Sequence, residues 1–502
     1  MAPLRERSSI IVLVLAAVSF AYFVGAPAWN QNSRFALTRA LVESGTTAID
    51  PHHHTTGDKS FRDGHFYSDK APGVSFFAVV PYAAYDLVRR GFGADAPGTK
   101  VQSLDPRVRE LGAVLEPEDR KPGDKIAYSP AYRFALYVCT FFVVVLPTAI
   151  LGGGGVLLLG RRLWGERGRS IALCFCLATP VWVYATSLYG HALCGALLIA
   201  ALAVLELADD DAPVTAPLAA GLLLGAAVIT EYPSAVVALM LVGYAVLRRG
   251  RTAAAWVIVG GIPWALLLAG YHAVAFGSPL RTGYDFVYRE EFAEGMAVRY
   301  GLGAPDPHAA LALLFGSFRG LFYLSPLLLL ATWGLVVGLR DPKTRPLHGL
   351  CLLVSAYFWL LNAGYYMWDG GASAGPRHMV PALGFVALGL GPAFARVPRA
   401  TIALATWSVL QAMLLAAASP EVAQSGDPLW EFAFGHLLEA RPSATTRHTN
   451  LGLLLGLPGP LSIAPLLAGI VWGALQLRRS ASTQDAADRP AATPPPSSAA
   501  DV

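Results

Sequence analysis

Residues 216–247 read APLAAGLLLGAAVITEYPSAVVALMLVGYAVL, an apolar run interrupted only by Glu231-Tyr232-Pro233. A helix rises about 1.5 Å per residue and the hydrocarbon core of a bilayer is about 30 Å thick, so about 20 apolar residues complete a crossing. This run is too long for one crossing, and a proline inside it removes a helix hydrogen bond. It is either one overlong helix or two short spans meeting at a break, and the choice decides on which side of a membrane every later segment lies.

The positive charges settle the choice. Other runs of spanning length lie near 9–25, 133–159, 170–187, 190–208, 253–275, 320–339, 348–364, 378–395, 400–418 and 461–477. If 216–247 is two spans, Arg161-Arg162 with Arg167 and Arg169, Arg248-Arg249 with Arg251, Arg340 with Lys343 and Arg345, Arg396 with Arg399, and Arg478-Arg479 all fall on the side of Arg5 and Arg7. One span would scatter them, against the cytoplasmic bias of Lys and Arg. The expected fold is therefore an all-α polytopic membrane protein of about 12 transmembrane helices with both termini in the cytoplasm. Its outer face would comprise a long first extracytoplasmic loop, 28–132, together with 276–319, 365–377 and 419–460.

Composition agrees. Of 502 residues, 54% are hydrophobic and 14% charged, with a mean hydropathy of +0.48, a balance that a soluble domain of this size does not keep. The net charge of +4 comes from basic residues at span ends and implies no nucleic-acid partner. The five cysteines sit inside apolar runs and read as small buried residues. Ala26-Pro27-Ala28 follows the first run, but proline makes a poor cleavage context, so the first span is expected to be retained. Within the first loop, 74–88 (VSFFAVVPYAAYDLV) is short for a crossing and precedes Arg89-Arg90, and reads as an interfacial helix. The segments expected are a transmembrane catalytic region (1–395), C-terminal helices with an outer loop (396–479) and a disordered cytoplasmic tail (480–502).

Polar residues gather at the outer ends of spans and in the first loop rather than on paired broken helices at mid-membrane, where a transporter places them. The densest segment contains Asn30-Gln31-Asn32-Ser33-Arg34, Asp50-Pro51-His52-His53-His54, Gly57-Asp58-Lys59, and Asp63-Gly64-His65-Phe66-Tyr67-Ser68-Asp69-Lys70-Ala71-Pro72-Gly73. Tyr67-Ser68-Asp69-Lys70-Ala71-Pro72 resembles the Tyr-x-x-Lys-x-Pro element before an interfacial helix in the GT-C superfamily of polyprenyl-phosphate-sugar-dependent glycosyltransferases. That group includes protein O-mannosyltransferases and aminoarabinose transferases. Gly277-Ser278-Pro279-Leu280, Arg319-Gly320-Leu321-Phe322, and Trp368-Asp369-Gly370-Gly371 with Gly375-Pro376-Arg377 resemble a bacterial branch of it. The resemblance implies a loop carboxylate in catalysis. Where the family places Asp soon after the first span, this chain has Asn30-Gln31-Asn32, none of which takes up a proton as a base.

Sugar transfer from a polyprenyl phosphate needs a base for the acceptor hydroxyl, stabilisation of an oxocarbenium-like centre and cations for the departing phosphate. Asp50, Asp58 and Asp69 are the base candidates. Lys70 and Arg377 lead for the phosphate, one a point charge and the other a bidentate fork, with Arg34 and Arg319 behind them. Snorkelling to headgroups is the alternative use of such cations. Tyr67, His191, Glu231, Trp368 and Asp369 are candidates to line the substrate cavity, set against ordinary roles as turn formers and hydrogen-bonded core groups. His52-His53-His54 invites a metal reading, but adjacent residues diverge and no second ligand pair is evident, so a solvated loop is expected and no metal ligands are assigned.

The expected function is an inverting membrane glycosyltransferase of the hexosyl- or pentosyltransferase class, working without a metal, although a divalent ion stays open. No cofactor is assigned. The donor substrate would be a polyprenyl-phosphate-linked sugar and the acceptor an extracytoplasmic glycan, lipid or protein. The setting would be a bacterial-type cytoplasmic (inner) membrane, crossed many times, with the active site on the extracytoplasmic face. The competing class is a transporter or flippase for a polar solute or lipid-linked sugar, which has no need of so long a first loop.

Overall fold

The computed structural model describes residues 6–102, 125–208, 214–422, 424–440 and 448–487. Where the sequence is ambiguous, at 216–247, two helices form. Thr215–Thr230 ends where Glu231 turns extended (φ −146°, ψ 110°), and the next helix begins at Ser234 after Pro233, which favours the first turn because it has no N–H to satisfy. The helical run Ser234–Phe276 itself breaks at Gly250 (φ 84°, ψ 175°), between Arg249 and Arg251. The stretch thus turns back on itself, and Thr215–Thr230 packs along Ser234–Phe276 on one side and Gly190–Leu207 on the other.

The chain is mostly helical. Six helices among the described residues are long and apolar enough to cross a membrane: Pro130–Trp164, Gly190–Leu207, Ser234–Phe276, Arg345–Ala363, Pro398–Ala418 and Gly459–Leu477. A seventh forms if Arg377–Ala387 and Leu390–Arg396, bent by 54°, act together, and Arg7–Ala21, Thr215–Thr230 and Leu327–Gly338 are shorter apolar helices. Many carry apolar residues on all sides, as lipid-facing helices do, and leave Leu239, Leu247, Leu266, Val274 and Leu353 exposed on the outside. All five cysteines are free and buried.

A polar layer caps one end. Its first helix, Trp29–Arg39, buries Asn30, Gln31, Asn32, Ser33, Arg34, Thr38 and Arg39. Asn32 donates to the Thr55 carbonyl (2.9 Å) and to Tyr128 Oη (2.8 Å) while accepting from Tyr132 Oη (3.0 Å), whereas Gln31 Oε1 is buried without a hydrogen-bond partner among the described residues. Two-stranded antiparallel pairs join Lys59–Arg62 to His65–Ser68, Thr99–Gln102 to Lys125–Tyr128, and Phe23–Val24 to Thr449–Asn450. The segment expected as interfacial is the helix Gly73–Gly91; it packs on Trp29–Arg39 and exposes Val80, Leu87 and Val88.

The C-terminal helices belong to the same body. Ala464–Ala487 packs against Arg7–Ala21. It also runs past Ser480, where a disordered tail was expected, because no proline or glycine falls between Ser480 and Pro490. The rest of that expected tail, 488–502, lies outside the described residues.

Candidate active site

Three local devices deliver the charged groups. The first is the hairpin of Lys59–Arg62 with His65–Ser68. Its turn has Asp63 (φ 50°) and Gly64 (φ 86°) both left-handed, the conformation for which Asp-Gly is suited. The register pairs Lys59 with Ser68, so Asp58 and Asp69 emerge side by side at the open end. Lys70 sits between them, its Nζ 3.0 Å from Asp58 Oδ2 and 3.2 Å from Asp69 Oδ2. Those bonds use two of the three ammonium N–H groups and leave one. Asp69 Oδ1 is buried without a hydrogen-bond partner among the described residues.

The second device is the break at Glu231. Its carboxylate meets Arg34 (Oε1 to Nη2, 2.9 Å), whose side chain is only 2% exposed and whose Nη1 also donates to Asn30 Oδ1. His191 Nδ1 lies 3.5 Å from the same carboxylate oxygen. Gly190 lets the carboxylate sit close, since a Cβ at that position would stand 2.2 Å from Glu231 Oε1 and push it aside.

The third is the turn before Arg377. Arg319, fully buried, donates from Nε to the Asp369 carbonyl (2.8 Å), from Nη2 to the Gly371 carbonyl (2.8 Å) and from Nη1 to the Phe318 carbonyl (3.0 Å). The pinned turn leads into the short helix Arg377–Ala382, and Arg377 enters no ion pair among the described residues.

Two adjoining cavities meet at these groups. The smaller is lined by Arg34, Asp58, Asp69, Lys70, His191, Glu231, Tyr284, Arg377 and His378. The larger, about 740 Å³, is lined by Trp29, Tyr128, Tyr189, Glu421 and Gln424 among others, and Asn30, Asp58, Phe292, Met367 and Arg377 belong to both walls. Burial holds the Asp69 carboxyl above the usual range, against the pull of Lys70. Burial also works against the Lys70 charge, but Asp58 and Asp69 together raise its pKa and keep it an ammonium. Glu231 is raised by burial, in spite of Arg34. Glu421 is pushed up to about 7, chiefly by burial, with the Tyr189 hydroxyl (2.8 Å) opposing the shift.

Of the residues singled out in the sequence, Asp58, Asp69, Lys70, Arg34, Arg377, His191 and Glu231 come together in the smaller cavity. The others stand apart from both cavities. Asp50 accepts from His65 Nδ1 and from the Phe66 amide, both at 2.7 Å, on the outer flank of the hairpin. Tyr67 packs against Phe276, and Trp368 against His308. Asp369 accepts from the Gly371 amide (3.1 Å) within its own turn, and Arg319 holds that turn.

The three histidines do not form a solvated loop as expected. They lie on a 3-10 turn, Asp50–Thr55, and diverge: His52 is buried against Glu43 (3.3 Å), His53 stacks on Phe66 (4.1 Å between ring centres) and His54 meets Thr99 (2.9 Å). The buried Arg39–Glu43 pair, with Tyr82 also on Glu43, supplies the partner that draws His52 inward.

Sequence reasoning passed over Tyr284, His378, Glu421 and Gln424. Tyr284 is placed by the Thr282/Asp285 capping box, a readable signal, and His378 follows Arg377 directly. The acids of 419–460 carry no pattern that separates Glu421 from Asp427 or Glu431.

No known family's sequence profile matches the chain, and no curated protein matches it in sequence. Solved structures do. The Archaeoglobus fulgidus oligosaccharyltransferase tethered to an acceptor peptide containing the NVT sequon aligns at 12% identity with a TM-score of 0.50, over 84% of this chain and 57% of that one. ArnT from Cupriavidus metallidurans bound to undecaprenyl phosphate aligns at 17% identity and a TM-score of 0.45, over 82% of this chain and 62% of that one. The chain thus spans about three fifths of the length of these structures. At such identities the likeness to the oligosaccharyltransferase is one of fold.

Proposed function

We propose that this chain, which has the fold of the GT-C membrane glycosyltransferases, transfers a sugar from a polyprenyl-phosphate donor to an extracytoplasmic acceptor. The observation that carries the reading is the smaller cavity, where Lys70 keeps an N–H for a further acceptor and Arg377 stands without a carboxylate partner among the described residues. A lipid phosphate monoester is the ligand for which such a pair is suited, since a point charge and a planar fork together hold its oxygens. The helix Gly73–Gly91 follows Lys70 by three residues and exposes Val80, Leu87 and Val88, apolar surface suited to a polyprenyl chain.

In this reading Asp58 is the base. It lines both cavities and so can face an acceptor hydroxyl in the larger one while the donor occupies the smaller. The acceptor O–H gives its proton to Asp58, its oxygen bonds to the anomeric carbon, and the bond from that carbon to the phosphate oxygen breaks. The polyprenyl phosphate leaves with its new charge against Lys70 and Arg377, a stabilisation that grows as the bond breaks. Arg34 is already committed to Glu231 and Asn30 and serves to hold the wall. Asp58 also occupies the place that the asparagines after the first span cannot fill, since Asn30 lines the same two cavities.

On the sequence pattern and its basic clusters we assign about twelve crossings, with both termini cytoplasmic, in a bacterial-type inner membrane; the long and the shorter apolar helices support a chain that crosses many times. The active site then opens on the outer face. Mass spectrometry of lipid-linked sugars and envelope glycoconjugates tests the function in a deletion strain, its complement and a complement carrying Lys70→Ala. Accumulation of a polyprenyl-phosphate sugar with loss of one sugar from an envelope product, restored only by the wild-type gene, is expected. Unchanged carriers and glycans would sink the transferase and favour a transporter.

A further inference from the structure

The transfer reading seats an acceptor hydroxyl in the larger cavity without saying what molecule carries it, and one of that cavity's walls comes from a segment that the mechanism above does not use. After the helix Pro398–Ala418 the chain turns, and Glu421 is set in place by its neighbours: its amide donates to Ser419 Oγ (3.0 Å), the Pro420 carbonyl accepts from the Ala374 amide (2.9 Å), and its carboxylate accepts from Tyr189 Oη (2.8 Å). No cation lies within ion-pair distance of Glu421 among the described residues. A carboxylate held this firmly and largely desolvated, with Arg377 on the same cavity wall but beyond ion-pair distance, is costly for stability and suits a ligand.

We infer that the larger cavity is an acceptor subsite for a saccharide, in which Glu421 and Gln424 take the ring hydroxyls; this rests on the transferase reading. The lining divides into two chemistries. Glu421, Gln424 and Asn30 offer acceptors and donors, while Tyr128 and Phe292 offer ring surface. A sugar ring needs that division, with hydroxyls around its edge and C–H groups on its faces. A carboxylate with two oxygens matches adjacent hydroxyls, which a glycan has and a single Ser or Thr side chain lacks. An acyl chain would desolvate Glu421 and Asp58 further while offering no hydrogen bond beyond those from Tyr189 and Lys70. At about 740 Å³ the space falls among cavities that engulf a small ligand and admits more than one sugar ring. Asp58 borders it, so a hydroxyl seated there meets the proposed base.

Full-length protein in nanodiscs tests this on arrays of bacterial-type oligosaccharides, on the same glycans presented as glycolipids in liposomes, and on Ser/Thr peptides. A separate arm measures the thermal shift produced by undecaprenyl phosphate. Wild type is expected to bind saccharide, with Glu421→Gln about tenfold weaker through loss of a charge-assisted hydrogen bond. The undecaprenyl phosphate shift should be the same in both. The glycan and glycolipid arms distinguish free from lipid-borne acceptors. Binding to peptides alone, binding to nothing, or equal saccharide binding by Glu421→Gln overturns the inference. Failure of undecaprenyl phosphate to shift the wild type sinks the donor reading instead, whatever the arrays show. If Glu421→Gln loses the shift through misfolding, Gln424→Ala, at an exposed position, repeats the comparison and the same outcomes decide.

Discussion

Removing the Glu231 carboxylate should unfold the protein more easily, and neutralising its partner as well should repair most of the damage. Arg34 is 2% exposed, its main anionic contact is Glu231 Oε1 at 2.9 Å, and its Nε already lacks a partner among the described residues. Glu231→Leu leaves that guanidinium buried with only Asn30 to receive it, a change worth about 3–5 kcal/mol for a broken buried pair. Glu231→Gln keeps an acceptor but no charge and should cost about 1.5–3 kcal/mol. Replacing both members, Arg34→Met with Glu231→Leu, removes the desolvated charge along with its partner and should return to within about 1 kcal/mol of wild type, because such replacements are often neutral. Unfolding of the purified protein in mixed micelles, followed as a double-mutant cycle, reads all four states. A Glu231→Leu variant as stable as wild type, or a double variant that loses the sum of the single losses, would refute the reasoning.

Three further outcomes follow from the same geometry. Gly190→Ala should abolish activity while the helices stay formed by circular dichroism, since its new methyl would stand 2.2 Å from Glu231 Oε1 and displace the carboxylate; normal turnover would show that Glu231 can move freely. Asp58→Asn should lower the transfer rate by about 10²–10⁴-fold with donor binding retained, whereas Asp50→Asn should stay near wild type; the reverse order in a purified assay would move the base to the outer flank of the hairpin. Glu421, with its folded pKa at about 7 against 4.5 unfolded, binds a proton in the folded state that the unfolded chain has lost. Its stabilising contribution is full below pH 4.5 and fades as pH rises through 7, so Glu421→Gln should flatten the fall in stability between pH 5 and 8, and identical slopes in both proteins would contradict the assignment.

Some of this was legible in the sequence for physical reasons. Pro233 and the basic clusters were enough to split 216–247, because proline and charge act locally on helix continuity and orientation. Asp63-Gly64 announces a hairpin, and its register would have set Asp58 beside Asp69 had strands been paired from the turn outward. What spacing does not carry is contact across the fold. Asp50 next to three histidines looks like chemistry, yet His65 and the Phe66 amide occupy both its oxygens from across the hairpin. Arg319 has the look of a phosphate ligand, and it spends its donors on carbonyls of a turn fifty residues away. The Arg34–Glu231 pair spans 197 positions, a separation at which no pattern survives.

The pairing of Phe23–Val24 with Thr449–Asn450 has a bearing on biogenesis. The amide of Leu451 donates to the Tyr22 carbonyl and the Tyr22 hydroxyl to the Ser462 carbonyl, so the end of the helix Arg7–Ala21 is fastened by chain synthesised as many as 440 residues later. Glu421 arrives only a little sooner. A nascent chain still on the ribosome would carry Lys70 and Asp58 through the synthesis of about 350 further residues before Glu421 completes the wall of the larger cavity. Under the proposed transfer reaction, membrane insertion and activity would be separated in time, because the wall that carries Glu421 is made well after the Lys70–Asp58 pair.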